Sequence, residues 1–318
     1  MARQQDATPA VPAPAGGPPA IVCEGLTKDY GGGRGVFGLD LTVARGEVFG
    51  FIGPNGAGKT TTIRLLMDLI RPTRGRAAVL GLDAAAGSRA IKRRAGYLPG
   101  ELPQFPGVSA GYIIGMLAGL RGGVDPRRIS ALAERFQLDL SRKYDDLSHG
   151  NKQKVGLIQA FMHEPDLLVL DEPTIGLDPL MQREFRGLVQ ESAARGGTIF
   201  LSSHVLSEVE LICDRIGLIR SGRLLQVGSL ADFRALRIHR VEAVFTGQLS
   251  EADLGQIPGV SEPHVEDHHL TCAVRGPVAP LLASLFTAGV IELDSHELSL
   301  EEVFLAEFEG PPQPRAGV

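Results

Sequence analysis

Residues 48–61 carry the sequence Val-Phe-Gly-Phe-Ile-Gly-Pro-Asn-Gly-Ala-Gly-Lys-Thr-Thr. The apolar run 48–52 predicts a buried strand, and a helix is predicted to begin at Gly58, with apolar residues recurring until Arg71 and Pro72 stop it. Between strand and helix, residues 53–60 match the pattern G-x-x-x-x-G-K-[ST] in the context in which this pattern binds phosphate. The stretch therefore predicts an α/β fold with a phosphate-binding loop.

The chemistry of this loop suits a nucleotide with a magnesium ion. Glycines let backbone N–H groups curl around a phosphate without side-chain clashes, and the helix N-terminus adds its positive dipole end. Lys59 can reach the β- and γ-phosphate oxygens, and the Thr60 hydroxyl can hold Mg²⁺. An ordinary glycine-rich turn is the alternative, and it is disfavoured because every position and both flanks match. The predicted nucleotide-binding residues of the loop are Gly53, Pro54, Asn55, Gly56, Ala57, Gly58, Lys59, Thr60 and Thr61.

A second anion site is predicted about ninety residues further on. Residues 147–153 are Leu-Ser-His-Gly-Asn-Lys-Gln, and they lead into a predicted helix over residues 151–163. The Ser148 hydroxyl and the flexible Gly150 backbone N–H, at the start of a helix, can bind an anion together. Alone, such a segment is most often a helix N-cap, but its place after the phosphate loop favours the functional interpretation.

Two acids end the next predicted strand. Residues 167–178 are Leu-Leu-Val-Leu-Asp-Glu-Pro-Thr-Ile-Gly-Leu-Asp. Because successive strand residues point to opposite sides, Asp171 is predicted to face a metal ion and Glu172 the γ-phosphate side, where it can polarise a water molecule. In isolation this would be a strand with an acidic turn, but the two preceding motifs favour Mg²⁺-assisted phosphoryl chemistry.

Composition divides the chain into an ordered body between two tails. The N-terminal tail holds five prolines and too little apolar sequence to offset the entropy of ordering. Unbroken short apolar runs in the next region predict a largely parallel sheet buried on both faces. The region after it is predicted to end in an amphipathic helix at 300–308, capped by Ser299 and Glu302. The predicted segments are a disordered tail (1–20), an α/β core (21–228), an accessory or regulatory α+β domain (229–310) and a polar tail (311–318).

The composition disfavours several functional classes. A net charge of −5 over 318 residues gives no basic field for nucleic acid, and 5% aromatics without Trp disfavour base stacking. Three cysteines, far apart and odd in number, fit reduced cytosolic thiols better than disulfides or a zinc module. No signal peptide is predicted, and the longest uncharged apolar stretch, 108–120, falls short of the ~18–20 residues of a membrane span. We therefore expect a cytoplasmic protein that meets a membrane through another chain.

Together the three motifs resemble the nucleotide-binding domain of an ATP-binding cassette transporter. Residues 97–101, residues 150–154 and the terminal Ser-Leu-Glu-Glu-Val-Phe are similar to the branch of daunorubicin-resistance-like drug-export ATPases, which work with separate membrane subunits. The resemblance implies a P-loop NTPase cassette with a helical subdomain at about residues 100–160, and ATP hydrolysis that drives export of a small, hydrophobic, drug- or antibiotic-like molecule. The implied partners are an integral-membrane permease and a second copy of the cassette, at the cytoplasmic face of the cell membrane.

The resemblance also assigns roles to residues outside the loop. Tyr30 matches the aromatic that stacks on adenine, with plain packing as the alternative. Asp178 lies at the position of the D-loop, which crosses the dimer interface. His204 lies at the switch-histidine position, where an imidazole can hydrogen-bond the γ-phosphate. The implied catalytic residues are Lys59, Glu172 and His204, the metal ligands are Thr60 and Asp171, and the residues that meet the partner protomer's nucleotide are Ser148, Gly150 and Asp178.

One position departs from the family pattern. The glutamine that usually follows the Tyr-Leu-Pro segment as a magnesium ligand is replaced by Gly100, with Glu101 next to it. Either a water molecule takes this ligand position, or Glu101 swings in through the flexibility of Gly100. We expect water, with Glu101 facing the permease.

Several other functions fit these features less well. A cassette ATPase acting on ribosomes, DNA or cluster assembly is disfavoured by the single phosphate loop, the lack of a long coiled coil and the extra C-terminal region. A regulatory cassette that hydrolyses ATP poorly is disfavoured by the retained glutamate and histidine, and a small-molecule kinase has no use for the second anion site. His264, His268 and His269 hint at a metal, but they are predicted to lie in a solvated turn between strands.

Overall fold

The computed structural model describes residues 18–234 and 238–297 of the 318-residue chain. Most of the predicted N-terminal tail, the predicted capped helix over residues 300–308 and the C-terminal tail lie outside the described residues. In these two ranges, no helix combines the length and the hydropathy that a bilayer crossing requires.

Strands and helices alternate through both ranges. In chain order, the strands are β1 (Ile21–Asp29), β2 (Gly35–Val43), β3 (Val48–Ile52), β4 (Arg74–Val79), β5 (Leu82–Asp83), β6 (Ala95–Leu98), β7 (Leu167–Asp171), β8 (Thr198–Ser203), β9 (Arg215–Arg220), β10 (Arg223–Ser229), β11 (Ile238–Phe245), β12 (Val260–Glu266), β13 (His269–Arg275) and β14 (Val290–Glu297). The helices are α1 (Lys59–Leu66), α2 (Ser88–Arg94), α3 (Ala110–Leu120), α4 (Pro126–Arg135), α5 (His149–Phe161), α6 (Pro179–Ala194), α7 (Leu206–Glu210), α8 (Leu230–Arg234), α9 (Glu251–Leu254) and α10 (Ala279–Thr287).

The central sheet has six strands in the order β10-β9-β3-β8-β7-β6. Its neighbours pair in parallel, except that β10 pairs antiparallel with β9 at one edge. Every residue of β3, β7 and β8 is buried. In a sheet covered on both faces, the strands carry apolar residues without polar alternation. The predicted, largely parallel α/β core is therefore confirmed.

A second sheet, which the sequence does not predict as a separate unit, is antiparallel with the order β2-β1-β4-β5. Its apolar side chains, Ile21 and Leu39 among them, belong to the same hydrophobic cluster as Phe49 and Phe51 of the central sheet. Strand β4 gives little sequence signal, because its first three residues are exposed and read Arg-Gly-Arg. The fold is therefore a mixed cassette of two sheets with helices around them.

Helices α3, α4 and α5 occupy the region predicted as a helical subdomain. Each begins at a side chain that caps its backbone, Ser109, Asp125 and Ser148 respectively. Their apolar faces share one cluster that contains Phe136 and Phe161, both almost fully buried.

Helix α1 is shorter than the sequence predicts. It ends at Leu66, and Asp68 takes a φ of 50°, in the left-handed region that breaks a helix. Leu69, predicted to lie on the apolar helical face, is 49% exposed. The apolar residues past Leu66 therefore do not extend the helix: Met67 is buried and Ile70 packs against the core, whereas Leu69 faces outward.

Residues 238–297 form a third sheet with the order β12-β13-β11-β14, antiparallel throughout. With α9 after β11 and α10 after β13, the element order is β-α-β-β-α-β, a split βαβ arrangement. Its hydrophobic cluster includes Val241, Phe245 and Leu285 and, among the described residues, draws on none before residue 238. The described residues of this region thus combine strands with helices, as an α+β unit does, while the domain bounds 229–310 stay a prediction.

Candidate active site

Three strands of the central sheet end side by side. Strand β8 lies between β3 and β7, and the register pairs Ile52 with Ser203 and Asp171 with Ser202. Because these strands are parallel, their carboxyl ends share one edge, where ligands bind in α/β sheets. This edge brings together the phosphate loop after β3, the acids at the end of β7 and His204 after β8.

The phosphate loop folds tightly around the side chain of Lys59. The ammonium group donates to the carbonyl oxygens of Gly53 at 2.6 Å and Pro54 at 3.3 Å, and the residue is buried. Gly58 has a φ of 112°, which favours glycine. A Cβ at Gly53 would lie 2.1 Å from the backbone oxygen of Ile219. The loop therefore needs glycine at both positions, one for its conformation and one for its close packing.

A cavity of about 430 Å³ opens in front of the loop. Tyr30 stands in its wall directly after β1, half-exposed, with the Lys28 ammonium 5.5 Å from its ring centroid. A half-exposed ring beside a cavity can stack on a base. Arg34 and Ser221, which the sequence does not predict as site residues, also line the cavity. The glycine-rich sequence after Tyr30 is a weak indication that Arg34 lies near the site, and no sequence motif points to Ser221. The lining consists of Tyr30, residues 33–35, residues 54–61, Glu172 and Ser221.

Asp171 is fully buried at the end of β7. Its Oδ1 accepts a hydrogen bond of 2.6 Å from the Ser202 hydroxyl, whereas Oδ2 has no hydrogen-bond partner among the described residues. A buried carboxylate oxygen without a partner calls for an explanation, and an oxygen ligand of this kind is what Mg²⁺ prefers. The donor chemistry at Asp171 thus fits a magnesium ion.

Glu172 reaches its position through a turn and not through the strand alternation that the sequence predicts. Strand β7 ends at Asp171, and Glu172 has a φ of 50°, in the left-handed region that is uncommon for residues other than glycine. Its Oε1 lies 3.1 Å from Lys59 Nζ, and its Oε2 lies 2.9 Å from His204 Nδ1. The predicted alternation is wrong here because the extended conformation stops one residue earlier, yet Lys59, Glu172 and His204 form one chain of contacts.

The position that departs from the family pattern packs against the same acid. A Cβ at Gly100 would lie 2.8 Å from Asp171 Oδ2, so the backbone at Gly100 approaches the carboxylate closely. Burial, together with the nearby Asp171 carboxylate, raises the pKa of the Tyr97 hydroxyl to about 12. The Glu101 side chain points elsewhere, is 90% exposed and lies 3.4 Å from Arg64.

Ser148, Gly150 and Asp178 are not among the residues that line the cavity of their own chain. The Ser148 hydroxyl caps α5, and the Asp178 carboxylate caps α6, each by accepting from the backbone N–H three residues on. A Cβ at Gly150 would lie 2.3 Å from the backbone oxygen of Gly176, so the segment packs directly on the turn before Asp178. Contact of these residues with nucleotide stays a prediction about two protomers.

The histidines of the C-terminal region lie differently from the predicted turn. His264 is on β12 and His269 begins β13, so only the residues between these strands form a turn. His264 is exposed, with Nδ1 3.2 Å from an oxygen of Glu251. In the described parts of the chain, no group of three or more His, Cys, Asp or Glu is placed to hold a metal.

The chain matches the family model described as ABC transporter over residues 36–175. It is 37% identical over 224 residues to the Probable multidrug ABC transporter ATP-binding protein YbhF of Escherichia coli (strain K12), a match that covers 69% of this chain and 39% of that protein. The chain therefore spans about two fifths of the length of that relative.

Two further matches cover most of the length of the matched protein. The chain is 34% identical over 286 residues to the Nod factor export ATP-binding protein I of Cupriavidus pinatubonensis (strain JMP 134 / LMG 1197), with 88% of each chain covered. A match of that length extends beyond residues 21–228 and includes part of the C-terminal region. A solved structure described as "Structure of ATP binding subunit of ABC transporter" superposes with a TM-score of 0.64 at 32% identity, over 68% of this chain and 92% of that one.

Proposed function

The chain belongs to the ATP-binding proteins of ABC transporters, and we propose that it hydrolyses ATP to power export of a small molecule through a separate membrane permease. The observation that carries this proposal is the position of Glu172, whose carboxylate contacts both Lys59 in the phosphate loop and His204 beside it. Export of a hydrophobic, drug- or antibiotic-like molecule is supported by the names of two relatives, a probable multidrug transporter protein and a Nod factor export protein.

ATP is proposed to bind in the 430 Å³ cavity with its triphosphate in the loop. The loop's backbone N–H groups and the start of α1 attract the phosphates. The Lys59 ammonium, which contacts carbonyl oxygens of the same loop, can exchange these for oxygens of the β- and γ-phosphates. Tyr30 is proposed to stack on the adenine, and Arg34 adds a positive charge to the wall.

The Thr60 hydroxyl and the Asp171 carboxylate are the groups proposed to hold Mg²⁺. The unpartnered, buried Oδ2 of Asp171 supports this. When bound, the ion neutralises charge on the phosphate oxygens. Gly100 offers no side-chain ligand and Glu101 points to Arg64, so water is proposed to complete the shell.

Hydrolysis requires a water molecule aligned with the γ-phosphate. The Glu172 carboxylate in the cavity wall can accept a hydrogen bond from that water and polarise it. His204, 2.9 Å from Glu172, can orient the carboxylate and donate to a γ-phosphate oxygen. Lys59 stabilises the negative charge on the transferred group. Glu172 is thus proposed to activate the water, His204 to orient Glu172, and Lys59 to stabilise the negative charge.

A second copy of the chain is proposed to complete each site. The Ser148 hydroxyl and the Gly150 N–H, at the start of α5 and outside the cavity lining of their own chain, are proposed to form an anion site. Two copies that face each other can bring this site to the partner's γ-phosphate, with Asp178 at the interface. The net charge of −5 supports the absence of a nucleic-acid partner.

The permease is proposed to dock in a groove between the central sheet and the helical subdomain. The groove has a volume of about 460 Å³, and an apolar groove of this kind suits the apolar face of a short helix. Docking there would hold the chain at the cytoplasmic face of the membrane. The groove is lined in part by Leu69, Tyr97, Leu102, Phe105, Ile113 and Leu117.

The nucleotide part of the proposal is tested with the purified chain. We expect phosphate release from ATP in the presence of Mg²⁺, and Lys59→Ala is expected to weaken ATP binding by about tenfold or more, because a charge-assisted contact to phosphate is lost. Lys143→Ala removes a lysine that is exposed and outside the cavity lining, and it serves as the matched control. Unchanged ATP affinity in Lys59→Ala would contradict the proposed site.

The docking part is tested by co-expression with a membrane protein encoded next to this chain. Leu69→Glu places a charge in the groove at a side chain that is 49% exposed, so the fold is expected to tolerate it. Co-purification should fall while ATP binding stays. Leu225→Glu changes a leucine of similar exposure, 41%, on β10 and outside the groove. Equal loss of co-purification in both variants would argue against the groove.

A further inference from the structure

The backbone at Glu172 is held in a conformation that the residue does not favour by itself. Its φ of 50° lies in the left-handed region, which is costly for a residue with a Cβ. Glu172 also precedes Pro173, and a residue before proline normally adopts an extended conformation. Such a conformation persists only where neighbouring groups fix it.

Gln153 supplies these fixing contacts from another element. It lies on α5, and only 3% of the residue is exposed. Its Nε2 donates to the carbonyl oxygen of Glu172 at 3.2 Å and to that of Pro173 at 3.1 Å. One buried amide thus binds two consecutive carbonyl groups on the C-terminal side of the glutamate.

Ser202 holds the other side of the same residue. Its hydroxyl oxygen accepts from the Glu172 N–H at 3.0 Å and donates to Asp171 at 2.6 Å. The peptide units before and after Glu172 are therefore both bonded to side chains from neighbouring elements. With the backbone fixed, the carboxylate is aimed at Lys59 and His204.

We propose that Gln153 is a positioning residue for ATP hydrolysis, which holds Glu172 in its left-handed conformation and links it to helix α5. The inference rests on the proposed role of Glu172 as the group that polarises water. Since Ser148 and Gly150 lie about one turn before Gln153 on the same helix, a movement of α5 is transmitted to the backbone of the base.

The test is Gln153→Met, which keeps the side-chain length and removes both donors. A carboxylate displaced by about 1 Å can lose about 10²-fold in rate, so turnover of the full chain is expected to fall ~10–100-fold, with ATP affinity within about twofold of wild type. The control is Gln226→Met, which makes the same chemical change at an exposed glutamine of β10 outside the cavity lining. The control is expected to keep turnover within about threefold.

A double-mutant cycle with Glu172→Gln separates positioning from a merely structural role. If Gln153 acts through the carboxylate, adding Gln153→Met to Glu172→Gln leaves the residual single-turnover rate unchanged. A further loss equal to that in the wild-type background would overturn the proposal, as would equal losses in Gln153→Met and Gln226→Met. If Gln153→Met does not fold, Gln153→Asn, which is too short to reach both carbonyls, replaces it in the cycle.

The two levels of the proposal fail in different ways. Normal turnover in Glu172→Gln would refute the assignment of the base, and this inference with it. Loss of turnover in Glu172→Gln, with normal turnover in Gln153→Met, would refute this inference alone.

Discussion

The Oε2 atom of Glu172 lies 2.9 Å from Nδ1 of His204, while its Oε1 lies 3.1 Å from Nζ of Lys59. The three residues follow β7, β8 and β3, so one carboxylate joins the ends of three adjacent strands. The side chains of Lys59 and Glu172 are 6% and 13% exposed, whereas that of His204 is 43% exposed, so solvent screens the contact with Lys59 less than the contact with His204. This carboxylate therefore links the phosphate loop to the residues that follow β7 and β8.

Replacement of Glu172 by Gln should separate binding from hydrolysis. The amide keeps the size of the side chain but cannot polarise water as a base, so turnover should fall by ~10²–10⁴-fold. The loop and Lys59 are unchanged, and ATP binding should persist. Because separation of the two protomers is expected to follow hydrolysis, an ATP-bound dimer should accumulate, as measured by size-exclusion chromatography with ATP.

Glu134→Gln makes the same chemical change on an exposed position of α4 and serves as the control. It should hydrolyse ATP at the wild-type rate and form no stable dimer. Turnover of Glu172→Gln within a few-fold of wild type would show that another group activates the water.

Removal of the Glu101 carboxylate should leave the magnesium requirement almost unchanged. The side chain is 90% exposed and pairs with Arg64, and Mg²⁺ readily keeps water in its coordination shell. In Glu101→Ala, the Mg²⁺ concentration for half-maximal ATPase activity is therefore expected to stay within about twofold of wild type.

Asp171→Asn is the comparison in this titration, since it weakens a proposed ligand and should raise the required Mg²⁺ concentration strongly. If Glu101→Ala shifts the titration several-fold instead, Glu101 is a ligand and swings in at the position where the family usually has glutamine.

The sequence predicts the parts of this site that local residue order determines, and misses those that depend on contacts between distant segments. The loop from Gly53 to Lys59 needs glycine and lysine at fixed spacing, so its pattern can be recognised in the sequence alone. The turn at Glu172 is not, because alternation in β7 gives no sign that the strand ends one residue earlier. The amide of Gln153 meets its carbonyls only after α5 packs against the turn that follows β7. Likewise, β4 of the second sheet is not predicted, because it begins with the exposed residues Arg-Gly-Arg, which do not indicate a strand.

Protonation of His163 should destabilise the fold below neutral pH. Burial, followed by repulsion from Arg121, lowers the pKa of this histidine to about 4, against about 6.5 in an unfolded chain. Between these values the unfolded state binds a proton that the folded state does not, so stability falls as the pH drops from 6.5 towards 4.

In His163→Gln this contribution is lost, while the amide can still donate to the Ala95 carbonyl that faces the ring nitrogen at 3.2 Å. Thermal unfolding at pH 7 and pH 4.5 should show a smaller loss of stability in the variant. The difference should be about 1 kcal/mol once solvent screening of the partly buried ring is allowed for. Equal pH dependence in both proteins would contradict the lowered pKa.

Removal of the C-terminal region should leave the nucleotide site intact. The described contacts of the site lie before residue 222, and the hydrophobic cluster of residues 238–297 draws on that region alone. A chain ending at residue 234, after α8, should therefore fold and bind ATP with an affinity within about twofold of the full chain. We expect dimerisation or coupling to change instead, measured as the amount of ATP-bound dimer when Glu172→Gln is added to both chains. Loss of ATP binding in a shortened chain that is folded by circular dichroism would mean that the C-terminal region is part of the nucleotide site.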